Sequence, residues 1–434
     1  MADPEHVTLV KSGASAISRW REATWRRPNT ELPRFSLGYR LEDRGAGETF
    51  APDYLYGRPS LDLSRAMLNA AKLMGADLSH DDLSRADLTG SDLRQADLSG
   101  ANLQGAHLWR SNMARSNFNE AFMSGCTLGR TNLSNSVMKG VNLKGSDISF
   151  SNLSYTDLER ADLSGTDLSQ TDLSWANLSG ANLRNARLVG ANLDMADLTG
   201  ADLQGAIFIN AKMSSTSVSQ ATFGLTTISN CDLTGVIGLG EARHVGPSII
   251  GLDTISQSKG QVNVKFLHGA GVPPLLISAQ DALRDSGMTF KRALLLGSGS
   301  DSEFADKLRA GLAEANVPSW IICVDDEASL ASGATNLDDA VVYDRVILLC
   351  TAGSLENPLT SRQFAGLASS PGPTLKESII AVATDDLFYK REDRLCSGLR
   401  EGAVVDFRGS EDEARFGEAL ADLIKQFEDS PFNF

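Results

Sequence analysis

The chain of 434 residues contains no uninterrupted apolar run long enough to cross a bilayer, which needs about 18 residues or more, so no transmembrane helix is expected. Its opening, Met1 to Val10, is polar and charged and lacks the apolar stretch of a secretory signal. Cysteine is scarce. The five present, Cys126, Cys231, Cys323, Cys350 and Cys396, never take CxxC spacing and never stand beside a histidine. That argues against a disulfide framework or a zinc site and fits a reducing compartment, so a cytoplasmic placement is expected. No histidine follows His268, which excludes Ser-His-Asp or Cys-His catalysis from the C-terminal part. Aromatics make up only 6%, so any core must be built from Leu, Ile, Val and Ala. Basic residues are outnumbered 40 to 55, and the resulting net charge of −15 disfavours non-specific binding to nucleic acid or to an anionic membrane. Finally, the chain has 13 prolines, yet none lies between Ser60 and Gly246.

What fills that proline-free stretch is a period of five. Stepping by five from Leu68 through Leu103, Leu143 and Leu183 to Leu233 gives 34 positions, all large and apolar. Two residues before each centre the side chain is small, as at Ala66, Ala76, Ala101, Cys126, Thr166 and Ala191; Asp81 is the one charged exception. Between them Asp or Asn recurs, as at Asp77, Asp87, Asn102 and Asp197. A helix of about 3.6 residues per turn would walk such centres around its axis, and a flat strand would throw them onto alternate faces. A chain that turns a corner every five residues keeps them all inside. Four faces make a coil of 20 residues, so 34 repeats make 8.5 coils. At roughly 4.8 Å per coil the rod would be about 40 Å long. Proline would remove a ladder donor, and its absence fits continuous coil-to-coil bonding. His80 and His107 fall on outward or corner positions and receive no chemical role.

The motif Ala101-Asn102-Leu103-Gln104-Gly105 resembles the pentapeptide-repeat family. That resemblance implies a right-handed quadrilateral β-helix. It also raises the prospect of a DNA mimic that binds a type II topoisomerase, as some members do. Asp62 to Val236 holds 18 acidic and 13 basic side chains, a net of −5. Duplex DNA carries a charge per about 1.7 Å of axis, so a similar length would carry over twenty.

The ends of a solenoid need covers, because a terminal coil exposes an apolar cross-section. Val10, Ala14, Ile17 and Arg21 have helical spacing, so a helix over 7–27 is expected to cap the N-terminal end, with Trp20 and Trp25 packed there. Residues 28–60, with four prolines, are expected to form an irregular strap. After Val236 the period stops. Asn263–Leu267 is expected as a strand, and Leu276–Asp285 as a helix after Pro273-Pro274. The segments GLDTIS at Gly251 and FLHGAGVP at Phe266 are similar to the linker that joins pentapeptide repeats to TIR domains in bacterial proteins.

From Lys291 apolar strands alternate with helices. Strands are expected at Ala293–Leu296, Trp320–Val324, Val346–Cys350, Ile379–Ala383 and Val404–Phe407; helices at Asp301–Ala315, Leu359–Ala368 and Glu411–Phe427. Ser300 with Glu303 and Ser410 with Glu413 have the spacing of capping boxes. Such alternation predicts a parallel sheet covered on both faces. The order resembles a TIR (Toll/interleukin-1 receptor) domain, with Asp301–Leu308 as its first helix, Trp320 as the second-strand aromatic and Asp325–Thr335 as its BB loop. Catalytic TIR domains cleave NAD with a Glu in a Ser-x-Trp-Cys-x-x-Glu motif. Here Leu359 stands for the Trp and Gln363 for the Glu. Glutamine cannot supply the negative charge that an oxocarbenium-like transition state needs. No catalytic residue, cofactor or metal site is therefore expected. If NAD binds at all, the candidate residues are Ser298, Ser300, Trp320 and Gln363, since Gly297-Ser298-Gly299-Ser300 follows a strand and opens a helix. Asp325-Asp326-Glu327 reads as a solvated acidic loop.

The expected architecture is thus a helical cap and strap over 1–62, a pentapeptide-repeat β-solenoid over 63–236, a linker over 237–289, and an α/β flavodoxin-like TIR domain with a parallel sheet over 290–434. The expected role is a scaffold or signalling protein of a bacterium. Its partners would be proteins, among them TIR domains or a second copy of itself, with no direct nucleic-acid or membrane contact. A TIR-type NAD hydrolase of bacterial defence and a topoisomerase-binding mimic are the alternatives.

Overall fold

The computed structural model describes residues 2–24, 60–280, 282, 291–315, 317–324, 343, 345–368 and 378–428. Trp25, the strap, the BB-loop stretch and the acidic run Asp325-Asp326-Glu327 lie outside the described residues. The chain forms two compact units, Met1–Ile148 with Asn152–Thr166, and Ser149–Ser151 with Asp167–Phe434.

In the first unit each repeat is one face of a coil. Parallel bridges join residues 20 apart, from Asp62↔Asp82 and Met67↔Asp87 to Asn142↔Asp162. Leu63 N–H donates to Asp82 O and Leu68 N–H to Asp87 O, both at 2.7 Å, and Asp82 N–H donates back to Leu61 O at 3.0 Å. The centres Leu68, Leu103 and Leu143 are at most 1% exposed, and small residues such as Ala66, Ala101 and Val141 beside them are buried too. Where the small residue carries a hydroxyl, it can donate to a carbonyl of the preceding coil. Ser116 Oγ donates to Leu93 O, and Ser136 Oγ to Met113 O. A polar group in this dry interior costs little because its proton has a partner.

The corners explain the remaining positions. Ala66 N–H donates to Leu63 O at 2.9 Å, closing a β-turn whose third residue, Arg65, has φ +60°. Residues at this corner position repeat the left-handed conformation, which favours the glycines found at 75, 90, 100 and 105. The recurring Asp or Asn is part of the same turn. Asp82 Oδ1 accepts from Ser84 N–H at 2.9 Å, Asp87 from Thr89 at 3.0 Å and Asp97 from Ser99 at 3.0 Å. These are Asx-turns, so the residue shapes the corner as well as facing solvent. Hydrogen bonds from Thr89, the side chain foremost, hold the Asp87 carboxyl below its usual value, and burial opposes that shift only in part.

Two helices stand over the first coil. α1 (Pro4–Lys11) is capped by the Asp3 side chain, and α2 is Ala14–Thr24. The single helix expected over 7–27 is broken because Gly13 takes φ +92°, a left-handed conformation that ends α1. Val10 and Ile17 are 1% and 0% exposed. Asp3 N–H donates to Asp62 O, and Asp62 N–H donates to His6 Nδ1, so open ladder groups of the first coil are occupied. Asp81, the charged exception, is fully buried and paired with Arg21 of α2, while its other oxygen accepts from Leu61 N–H at 2.8 Å.

In the second unit the coils have the same spacing, from Asp167↔Arg187 to Ser217↔Ile237. Three short strands form here: β1 (Ile207–Ile209), β2 (Thr222–Phe223) and β3 (Thr227–Ser229). Stacking continues past Val236, where the five-residue pattern ends. β4 (Arg243–His244) pairs with β2, and β5 (Ile249–Ile250) pairs with β3. Thr222↔Arg243 and Thr227↔Ile249 are 21 and 22 residues apart, so extra residues slip in while the ladder survives. α3 (Leu252–Gln257) and α4 (Val264–Gly269) follow. Thr254 Oγ1 donates to Ile228 O, and Ser258 Oγ accepts from Leu233 N–H, so side chains of this segment occupy ladder groups of the last coil. The strand expected at Asn263–Leu267 is α4 instead. Asn263 caps it by accepting from Phe266 N–H at 3.1 Å, and Phe266 and Leu267 are fully buried. The helix expected over 276–285 begins earlier, as α5 (Pro274–Ser278), because proline fits the first turn of a helix; Ala279 is a turn, residues 280 and 282 are helical again, and residues 281 and 283–285 lie outside the described residues.

Beyond it β6 (Ala293–Gly297), α6 (Ser302–Glu314), β7 (Ser319–Cys323) and β8 (Arg345–Cys350) are followed by α7 (Ala352–Glu356) and α8 (Pro358–Ala368). Then come β9 (Ile379–Ala383), α9 (Leu387–Lys390), α10 (Arg394–Arg400), β10 (Ala403–Asp406) and α11 (Glu413–Glu428). The five strands are parallel in the order β10-β9-β8-β6-β7. Alternate residues feed two cores. Leu294, Leu296, Val346 and Leu348 meet Phe364, Leu367 and Phe388 on one face; Ala293, Leu295, Ile347 and Leu349 meet Leu308, Leu312 and Leu423 on the other. The capping signals differ from expectation by a few residues. Ser298 and Asp301 form the capping box, around a 3-10 turn at Gly299–Asp301, and Asp412 accepts from Ala414 N–H at the start of α11.

Candidate functional site

In an open parallel sheet, ligands meet the carboxyl ends of the strands where the chain order reverses. Counting strands along this domain, the order is 2-1-3-4-5, so the reversal lies between β6 and β8. Their two following turns converge on one carboxylate. Asp301, 7% exposed, accepts at Oδ2 from Ser298 N–H at 3.1 Å and from the Ser354 hydroxyl, and at Oδ1 from Thr351 Oγ1 at 2.7 Å. Ser300 Oγ lies 3.2 Å from Asp301 Oδ1 and 3.2 Å from Ser298 Oγ. A side chain at Gly353 would displace Ser300 Oγ, so the glycine leaves room for that hydroxyl between the two turns. From the neighbouring strand, Asp385 accepts from Ala352 N–H at 2.7 Å and from Leu387 N–H at 2.8 Å.

Of the residues expected together, the structure joins Ser298 and Ser300 and places Trp320 at the other end of its strand. Trp320 pairs with Leu294, near the amino ends of β7 and β6, and its ring lies 5.6 Å from that of Tyr343. Gln363 is half-buried on α8, one turn beyond Thr360, whose hydroxyl donates to Val324 O at 2.7 Å. Asp301, Thr351, Ser354 and Asp385 are absent from the site expected on sequence grounds. The available signal is a hydroxyl placed directly after an apolar strand, Gly297-Ser298 and Cys350-Thr351. Chemically the cluster is a hydrogen-bonded network. The Thr351 and Ser354 hydroxyl protons are directed at Asp301, and no histidine of this domain exists to act as a base. Burial pushes the Cys350 thiol far above its ordinary value, so it is no nucleophile. Cys126 and Cys231, on inward small positions of the solenoid, are each pushed up to about 12 for the same reason. Among the described residues no group of three or more His, Cys, Asp or Glu is arranged to hold a metal.

The second unit also contains a surface in use. Val189 sits where other repeats carry a polar outward residue, yet it is 1% exposed. It belongs to the same buried cluster as Leu355, Phe364 and Phe388 of the α/β domain, and Ile207 and Ile209 pack against that cluster. On the preceding coil Ser169 and Gln170, 2% and 1% exposed, are covered as well. Outward positions of the solenoid therefore serve as a seat for another folded element.

Residues 62–100, 96–135, 126–165, 142–180, 166–205 and 196–235 match the family model for pentapeptide repeats, in eight copies. Among solved structures, the chain is similar to HetL, a pentapeptide repeat protein involved in heterocyst differentiation regulation from the cyanobacterium Nostoc sp. strain PCC 7120. The identity is 34%, over 40% of this chain and 81% of that one, with a TM-score of 0.33. It is similar to the pentapeptide repeat protein Rfr23 from the cyanobacterium Cyanothece 51142 at 42% identity, over 18% of this chain and 54% of that one, with a TM-score of 0.18. Full-length QnrB1, a plasmid-mediated fluoroquinolone resistance protein, matches at 17% identity over 40% of this chain and 91% of that one, with a TM-score of 0.29. No curated protein matches the chain.

Proposed function

We propose, for a chain that belongs to the pentapeptide-repeat family through residues 62–235, the role of a protein-interaction scaffold whose C-terminal domain is a non-catalytic TIR-type association module. The observation that carries this reading is the seating of the α/β domain on outward solenoid positions through Val189, with Ile207 and Ile209 beside it. Apolar residues on an outer face are removed from water only where a partner covers them. The strand order 2-1-3-4-5 supports the TIR assignment. Gln363, at the position of the catalytic glutamate in the family, supports association over hydrolysis, because it brings no charge to a developing cation.

The test uses the full-length chain. Light scattering with and without an added TIR domain reads association, and release of nicotinamide from NAD reads hydrolysis. The expected result is a complex, or a defined homo-oligomer, and no turnover above buffer. Turnover that Gln363→Ala abolishes would overturn the reading in favour of an NAD hydrolase.

A further inference from the structure

A groove of about 610 Å³ crosses three successive coils of the first unit, lined by Ser64, Arg65, Ser84, Arg85, Asn102 and Gln104, with Asp82 and Gly105 completing it. Arg65 and Arg85 occupy the same corner of adjacent coils, with φ +60° and +56°, and Arg65 N–H donates to Ser84 O while Arg85 N–H donates to Gln104 O. The backbone ladder therefore fixes both side-chain roots about 4.8 Å apart, one coil above the other. Both side chains are exposed. Several other basic groups on this unit's coils are neutralised: Arg94 by Asp92, Lys139 by Asp157 and Glu159, and Arg160 by Glu159. Among the described residues neither Arg65 nor Arg85 has an acidic partner. The single carboxylate of the groove, Asp82, turns its Oδ1 to Ser84 N–H and Asn102 Nδ2, at 2.9 and 3.1 Å. Asp62, two residues before Ser64, similarly accepts from Ser64 N–H at 3.0 Å. The next residue in the arginine column is Gly105, which leaves the space beside Arg85 open.

We infer that this groove binds a small molecule bearing a phosphate or diphosphate group, gripped by Arg65 and Arg85. Guanidinium groups engage phosphate oxygens with paired, charge-assisted hydrogen bonds, and two of them one coil apart can share one phosphate or hold two linked ones. The volume falls in the range of small-ligand sites, roughly 300–1,000 Å³. Ser64, Ser84, Asn102 and Gln104 offer neutral donors and acceptors for the rest of such a molecule. Two adjacent arginines without an ion-pair partner among the described residues stand out on a chain whose net charge is −15.

Calorimetric titration of the full-length chain with inorganic pyrophosphate, and separately with ADP, tests this at low ionic strength, where surface charges are least screened. Saturable binding of pyrophosphate is expected, weakened about tenfold or more in Arg65→Gln/Arg85→Gln, as the loss of charged hydrogen bonds implies. Arg115→Gln, an exposed arginine outside the groove, should leave affinity unchanged. Tighter binding of ADP than of pyrophosphate would show that the polar floor takes part and would support the inference. Absence of saturable binding for both ligands would overturn it, and so would equal affinity in the double variant. Thermal melts of the variants, expected to match the parent, keep a folding defect from imitating the result.

Discussion

The solenoid and the α/β domain solve the problem of burying leucine in opposite ways. In the solenoid each centre meets its own neighbours on the same coil and its counterparts 20 residues away, so one short rule repeats and every partner is near in sequence. In the α/β domain Leu348 and Phe364 share a core with Leu294, Ala381 and Leu399, gathered from separate elements by the order of the sheet. The first architecture is local and tolerant of decoration. The second places residues from several turns around one point, as at Asp301. A repetitive core leaves its outer face free to vary. Val189 and the arginine pair are two such variations, one turned to a neighbouring domain and one to solvent.

The sharpest way to break this contrast is to attack the solenoid where it departs from its own rule. Asp81→Ala strands the Arg21 guanidinium in a dry site and should cost about 3–5 kcal/mol in denaturant unfolding. Adding Arg21→Met should recover much of that loss; an equal or larger loss in the double variant would show that the pair does not act as one. Leu103→Ala removes a regular centre and should cost about 2–5 kcal/mol. Hydrogen exchange should then show loss of protection in neighbouring coils, with the 293–406 sheet unchanged. Val189→Asp tests the seat. Its fold should persist while limited proteolysis between the solenoid and residue 291 accelerates. Asp97→Ala removes an Asx-turn bond and the acceptor of Asn117 Nδ2 from a half-exposed corner, and a loss of about 1 kcal/mol is expected in the same unfolding measurement.

The smallest effect is on pH dependence. His244 lies near Phe223 and Phe266, with ring centroids at 5.9 and 5.1 Å, and neither ring nitrogen has a hydrogen-bond partner among the described residues. Burial lowers its pKa below the ordinary 6.5. Well above pH 6.5 the ring is neutral in both folded and unfolded chains and contributes no slope. Below it the unfolded chain takes up a proton that the native chain refuses, so stability falls as the pH falls. His244→Phe should flatten that part of a melting profile; an unchanged slope would show that another group is responsible.

Much of the fold is legible in the sequence, and the exceptions have physical causes. The period of five can be read because it depends on residues five and 20 apart. Asp81 is visible as an anomaly, but its partner, 60 residues earlier on α2, is not, since nothing in either segment names the other. Asn263–Leu267 contains the β-branched Val264, directly follows Val262, and reads as a strand; Asn263 capping and the burial of Phe266 against Phe223 and His244 make it a helix. At the switch point Ser298 and Ser300 stand out because they follow a strand directly. Asp301, Thr351, Ser354 and Asp385 do not, because their meeting depends on β6 lying beside β8 and β8 beside β9.

Side-chain spacing and local backbone preference alone encode the repeating coil, its inward and outward positions, and the alternation of strand and helix after Lys291. Folding in three dimensions adds that Arg21 neutralises Asp81, that stacking continues past Val236, and that Val189 is covered by the α/β domain. Those outcomes depend on which distant surfaces exclude water together, and no local pattern encodes that choice.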